Sequence, residues 1–418
     1  MKQKKYIIHR ISAGLATGIF SGLIICLYRF FMSFCDTTLN HKIIPSLHSG
    51  SFFYPVAWGT GLLLLSRFVY WSICLEPKAE GGGVSHSIEE ARGITDARWW
   101  SVLLVKLTSA PLCIFAGFSL GKTGSAVEIG TMSGKGIFRS LQFFRRHYQP
   151  RLSLPEYCCT GAGAGLSALF CAPVSGLMFT LEKFPRLRAI SVLTIAVGSV
   201  SAFLVSHIIF GTAPILDTII PLQQYYYYPA LALLGILLGV AGKYYAFSLK
   251  RYAKLLSKYN KRIHGMLWSI LFLLAGVVCY FFPAITGPGN NMLAVLKTPA
   301  TAYTTLLLLL FGKYLFSMVS SGSGLPGGTI FPLLTVGACI GQLYGLALCS
   351  LFPGTGFSPA CFLLGGMSGF FTSALGAPVT GVFLMCEFTC CYGNLLPLFI
   401  ISLFSHLTAQ LINHKTLA

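Results

Sequence analysis

Ala172-Pro173-Val174-Ser175-Gly176, closed by Glu182, is written a second time as Ala377-Pro378-Val379-Thr380-Gly381, closed by Glu387. The interval is 205 residues from Pro173 to Pro378 and again from Glu182 to Glu387; Gly161, Ala164 and Val174 find Gly366, Gly369 and Val379 at the same interval. Self-similarity over such a distance predicts one transmembrane domain of two related halves, roughly 52–212 and 224–418. Transporters built this way hold their substrate where the halves meet, on interrupted helices near the bilayer midplane.

The bulk composition agrees with a membrane protein. Of 418 residues 55% are hydrophobic and 10% charged, against the roughly one quarter charged in a soluble domain. Ten apolar runs, among them 11–26, 101–120, 360–375 and 395–411, predict about ten full or tilted helical spans. The pieces 174–181 and 379–386 are too brief to cross alone, since about 20 helical residues are needed. The expected fold is therefore an all-α, multi-pass bundle of tilted and broken helices. The opening Met1-Lys2-Gln3-Lys4-Lys5 imitates a secretory signal, but no small-x-small cleavage site follows it, so the segment is read as the first membrane helix.

Thirty Lys and Arg face eleven Asp and Glu, a formal charge of +19. In a soluble chain that excess would raise nucleic-acid binding. Here the basic residues, Lys2, Lys4, Lys5 and Arg10 among them, are read as marking loops and helix ends against anionic lipid, so lipid is the expected partner and nucleic acid is not. The fourteen cysteines lie mostly in apolar runs and behave as small hydrophobes. With no metal-ligand spacing, phosphate loop or nucleophile triad, neither metal, cofactor nor enzymatic activity is expected. His86, Glu89 and Glu90 read as a solvated helix face, and Trp99-Trp100 and Tyr225 to Tyr228 as interfacial anchors.

Three glycine-rich breaks carry the functional signal: Gly81-Gly82-Gly83-Val84-Ser85, Gly121-Lys122-Thr123-Gly124-Ser125 and Gly324-Leu325-Pro326-Gly327-Gly328-Thr329-Ile330-Phe331-Pro332. Each opens a helix-like run. The first N–H groups of such a helix are unpaired and carry the positive end of its dipole, which suits an anion. In hydrocarbon those donors are tolerated only where they line a cavity or meet a ligand. The predicted anion-binding residues are Gly82, Gly83, Val84 and Ser85, then Thr123, Gly124 and Ser125, then Gly328, Thr329, Ile330 and Phe331. The second and third breaks also echo each other, because Gly121 with Gly130 returns 207 residues later as Gly328 with Gly337.

These breaks, in this order, together with Arg98-Trp99-Trp100, Val105-Lys106 and Val127-Glu128-Ile129-Gly130, resemble the CLC family of chloride channels and proton-coupled chloride antiporters. The resemblance runs from about Phe52 to the C-terminus. It implies an inverted-repeat bundle in the cell (inner) membrane, a homodimer with a pore in each subunit, and chloride or a similar small anion as the permeant species. The departures from the family pattern are pointed. Gly82 stands where the family has a serine, and Ser85 where it has a proline. Thr123 occupies the position of the gating glutamate, Lys183 that of the inner proton-accepting glutamate, and Ala418 that of the pore tyrosine; no cytoplasmic C-terminal domain is expected.

Threonine does not ionise at any relevant pH and cannot shuttle protons. The expectation is accordingly passive, channel-like movement of chloride without proton coupling. Two alternatives stand beside it. One is an antiporter that couples through another acid, such as Glu128 or Glu182. The other is a non-conducting membrane scaffold.

Overall fold

The computed structural model describes residues 2–144, 152–184, 191–211, 227–296, 303–354 and 356–417, and among them it holds helices and no strand. Among the described residues eight helices are long and apolar enough to cross a membrane, from Tyr6–Leu47 to Tyr392–Asn413, and outward-facing Leu64, Phe68, Ile208 and Leu308 leave apolar surface for lipid. The chain is an integral multi-pass membrane protein. The ten spans expected from hydropathy become eight long helices because two of the runs fold as Trp99–Phe115 and Pro359–Leu375. At 17 residues each these reach only about 25 Å, short of the hydrocarbon thickness.

Glycine decides which helices touch. Thr123–Phe144 packs on Leu154–Phe170 so closely that a methyl group at Gly130 would strike the Gly161 carbonyl, and one at Gly161 the Gly130 carbonyl. Ile330–Leu351 and Pro359–Leu375 repeat the arrangement, with Gly337 and Gly366 each against the other's carbonyl. Lipid tails are as apolar as leucine, so close backbone approach between small residues is what holds such pairs together.

The short repeated motifs form two 11-residue helices, Pro173–Lys183 and Pro378–Phe388, each with proline in its first turn. Each ends in a glutamate that caps the other's start. Glu182 accepts from the N–H groups of Val379 and Thr380 at 2.8 Å and from the Thr380 hydroxyl at 2.5 Å. Glu387 accepts from Val174 and Ser175 N–H at 2.9 Å and from the Ser175 hydroxyl. A carboxylate there satisfies orphan donors and opposes the positive dipole end, worth about 0.3–2 kcal/mol per helix.

Two readings of single residues are corrected by packing. Arg10 is buried, not a solvated flank: it pairs with Glu156 at 3.0 Å, on a helix whose start is closed by Ser153 and Glu156. Tyr227 is no interfacial anchor either, since its ring stacks on Phe362 within the core and its hydroxyl donates to the Gly356 carbonyl at 3.0 Å. Tyr225 and Tyr226 lie outside the described residues.

Candidate functional site

The three glycine breaks are far apart in sequence and meet in space. Gly121 and Gly328 exchange reciprocal hydrogen bonds, N–H to carbonyl, at 2.5 and 2.6 Å. The Gly81 N–H donates to the Gly324 carbonyl at 2.8 Å, and Gly327 N–H to the Gly81 carbonyl at 3.3 Å. A side chain at Gly124 would collide with the Gly82 carbonyl, and one at Gly328 with the Gly124 amide. Gly83, at φ 85°, uses the left-handed conformation open to glycine to turn the chain into the helix Val84–Ala91.

Three helix starts therefore share one neighbourhood. The first cap bonds run from Ser87 N–H to the Gly83 carbonyl, from Ala126 to Lys122 and from Leu333 to Thr329. The preceding amides, including those of Val84 and Ser85, of Thr123 to Ser125 and of Ile330 and Phe331, stand in first turns that offer no intrahelical acceptor. Thr123 and Ser125 are fully buried, and their hydroxyls have no hydrogen-bond partner. The equally buried Tyr28 hydroxyl, from the N-terminal helix, faces Ser125 outside hydrogen-bonding geometry. Buried polar groups are nearly always paired. Three orphaned hydroxyls beside open helix starts make a donor-rich pocket whose chemistry suits an anion.

Two carboxylates border the glycine turns: Glu80, which a side chain at Gly324 would strike, and Glu128. Glu128, fully buried on the Thr123–Phe144 helix, lies against Gly83 so tightly that a side chain at that glycine would strike its Oε2. Its Oε2 pairs with Lys106 Nζ at 2.9 Å and its Oε1 meets His86 Nδ1 at 2.6 Å. Lys106 also donates to the Gly81 carbonyl at 2.6 Å, which ties the first glycine turn to the carboxylate.

The remaining predicted positions fall as follows. Gly82 is half-buried and open on one side; a side chain there would meet only the Gly327 carbonyl, at 3.6 Å. Val84 is half-buried and Ser85 exposed, while Thr329 caps the helix that begins at Ile330, with Ile330 and Phe331 buried. Lys183 donates to the Leu375 carbonyl at a helix C-terminus. Glu182 is engaged by three donors as a helix cap. Ala418 lies outside the described residues.

Because Gly82 does not use left-handed backbone and has space, Gly82→Ser is expected to fold and to add a hydroxyl donor beside the pocket. A hydrogen bond to an ion contributes about 1.5 kcal/mol, so chloride binding measured by calorimetry should tighten roughly tenfold. An unchanged affinity would place the anion away from the first glycine turn.

Several residues were missed or misread in the sequence. The solvated face expected of His86, Glu89 and Glu90 is corrected: only Glu89 is exposed, while Glu90 is buried and bonded to Lys135 at 2.7 Å. Packing of the short helix on Thr123–Phe144 is the reason. A fourth glycine turn, Gly287-Pro288-Gly289, precedes the helix Asn290–Leu296, and Lys313 Nζ donates to the Ile285 and Gly287 carbonyls at 3.0 and 2.9 Å. Lys313 stands 207 residues after Lys106, the interval already separating Gly121 from Gly328. A lysine within an apolar run that recurs at the repeat interval was the available signal.

The profile described as voltage gated chloride channel matches residues 61–410. Among curated proteins, the H(+)/Cl(-) exchange transporter ClcA of Vibrio cholerae is 30% identical over 367 residues, spanning 84% of this chain and 74% of that protein. The protein of the same name from Klebsiella pneumoniae is 30% identical over 375 residues, with 85% and 75% covered. Among solved structures, a slow cyanobacterial Cl-/H+ antiporter superposes with a TM-score of 0.86 at 23% identity over 97% of this chain and 95% of that one. A CLC-type fluoride/proton antiporter does so at 0.74 and 17%, over 95% and 94%. The last two likenesses establish the fold; with the bacterial relatives the chain shares residence in the cell membrane.

The relatives that share 30% identity are exchangers. They overturn the expectation of passive conduction without proton coupling, which had been drawn from the missing acids at Thr123 and Lys183. A carboxylate does lie beside the glycine turns, on Glu128 rather than at residue 123.

Proposed function

The chain belongs to the voltage gated chloride channel family, and from that premise we propose that it exchanges chloride for protons across the cell membrane. Chloride rests among the helix starts at Gly82 to Ser85, Thr123 to Ser125 and Gly328 to Phe331, with the hydroxyls of Thr123, Ser125 and Tyr28 turned to it. Glu128 carries the proton. The single observation that supports this most is its buried carboxylate packed against the glycine turn at Gly83. Chloride and an ionised carboxylate repel at that range, and a proton on Glu128 removes the repulsion. Binding of each ion thus favours the other, as linkage requires of any coupled pair.

We further read the chain as two related halves, roughly 52–212 and 224–418, that meet at the pocket, and as a homodimer seated in lipid with one such pathway in each subunit. Exchange is tested with purified protein in liposomes under an outward chloride gradient, with external pH followed in weak buffer. Proton movement driven by chloride and persisting under a voltage clamp supports exchange. Chloride flux with no proton movement refutes it, and absence of flux for any halide favours a scaffold.

A further inference from the structure

Glu128 has no surface of its own, so any proton it exchanges must arrive through a neighbour that also reaches water. Lys106, on the other side of the carboxylate, is fully buried, as is Tyr28. His86 differs. Its Nδ1 lies 2.6 Å from Glu128 Oε1, its side chain keeps 10% of its exposure, and it sits one residue after exposed Ser85.

Behind the ring stands a ladder of alternating charge. His86 Nε2 approaches Glu90 Oε1 at 3.4 Å, Glu90 Oε2 accepts from Lys135 Nζ at 2.7 Å, and Lys135 reaches Asp96 Oδ1 at 2.6 Å. Asp96 is 70% exposed and also pairs with Arg139 at 3.1 Å. Glu90 Oε1 additionally accepts the Ala97 N–H at 2.6 Å, so both its oxygens are occupied. Lys135 and Arg139 follow Glu128 by 7 and 11 residues, which places all three along one stripe of the Thr123–Phe144 helix, about 16 Å from end to end. His86 Nε2 is itself buried, so the tenth of the side chain that stays exposed lies elsewhere on it, and the ring must turn before Nδ1 can leave Glu128 and meet water.

We propose that His86 passes protons between the aqueous mouth beside Ser85 and Glu128, with Glu90, Lys135 and Asp96 as the positioning residues that hold the ring. This rests on the exchange reading above. In the inward step the Nδ1–H bond of the imidazolium breaks as an O–H bond forms on Glu128 Oε1, leaving a neutral imidazole with its proton on Nε2. The ring regains its second proton from water when it turns toward the mouth. The charged groups around it are Glu90 on its own helix and Glu128 on the facing one, with Lys106 and Lys135 behind them. Burial opposes a charge on His86, but the hydrogen bonds to Glu128 and Glu90 outweigh it and raise the imidazole to about 9.

The test follows chloride-driven proton uptake in liposomes. If the unaltered protein moves no protons, the exchange reading itself fails. If it does, His86→Ala is expected to cut proton uptake by about a hundredfold, the scale of a lost general acid–base group, and free imidazole in the bath should restore part of it. Uptake at the unaltered rate overturns the proposal, as does a loss that imidazole does not repair in monodisperse protein. Should His86→Ala fail to fold, Glu90→Gln serves instead. Removing one of the acceptors that hold the imidazolium must move the alkaline limb of exchange to lower pH, and an unmoved limb overturns the proposal.

Discussion

Glu128→Gln is expected to abolish chloride-driven proton uptake, by at least about two orders of magnitude, while chloride continues to pass. The amide keeps the shape of the carboxylate. Its oxygen can still accept from Lys106, and its NH2 can donate to a neutral His86, so the first glycine turn stays tied through the Lys106 bond to the Gly81 carbonyl. What disappears is the only group of this side chain that can take a proton. Protons counted per chloride, by pH electrode and chloride electrode on the same vesicles, give the answer directly. A stoichiometry equal to that of the unaltered protein would remove Glu128 from the coupling and send the search to another acid.

Lys106→Met is expected to destabilise the protein by about 3 kcal/mol, the lower end of what breaking a buried ion pair costs when one charge remains. Lys106 and Glu128 are both fully buried, and methionine nearly preserves the packing volume. His86 remains as a partner for the carboxylate, which is why the lower figure applies. Thermal denaturation in detergent should show the loss. Adding Glu128→Gln to the same chain should recover a large share of it, because the stranded charge is gone. If the double variant is as unstable as the sum of the two single variants, the lysine acts mainly through the Gly81 carbonyl.

Much of the architecture was readable from repetition. The interval between Pro173 and Pro378 announced two similar short helices, and glycine at 121, 124 and 328 marked the places where backbones close to contact. Helix count was less legible because hydropathy does not separate a 17-residue piece from a full span: Trp99–Phe115 and Pro359–Leu375 look equally apolar in one dimension. The site was legible in its amides and obscure in its side chains. His86 and Glu90 are four residues apart, a spacing shared by a solvated face and by a face packed against a neighbour, and only the position of Thr123–Phe144 decides between them.

The expectation of uncoupled flow failed for a related reason. It set the missing acids at residues 123 and 183 above the alternative of coupling through Glu128 or Glu182, whereas a proton requires only an acid within reach, whichever helix brings it. Glu128 is five residues, more than one turn, further along the same helix, and Gly83 allows it to approach the first turn. Tyr28 was beyond reach altogether, since nothing in the chain links residue 28 to residue 125 before folding.

The exchanged caps of Glu182 and Glu387 bear on how the chain is made. When the ribosome has released residues up to about Lys183, the amides of Val174 and Ser175 still await a carboxylate that is two hundred residues from being synthesised. Glu182, already made, lacks the donors it will hold. The early helix therefore keeps its first amides without their carboxylate until Pro378–Phe388 has been made. A product truncated before that helix would leave its polar ends uncovered, and cellular quality control has a physical mark by which to recognise it.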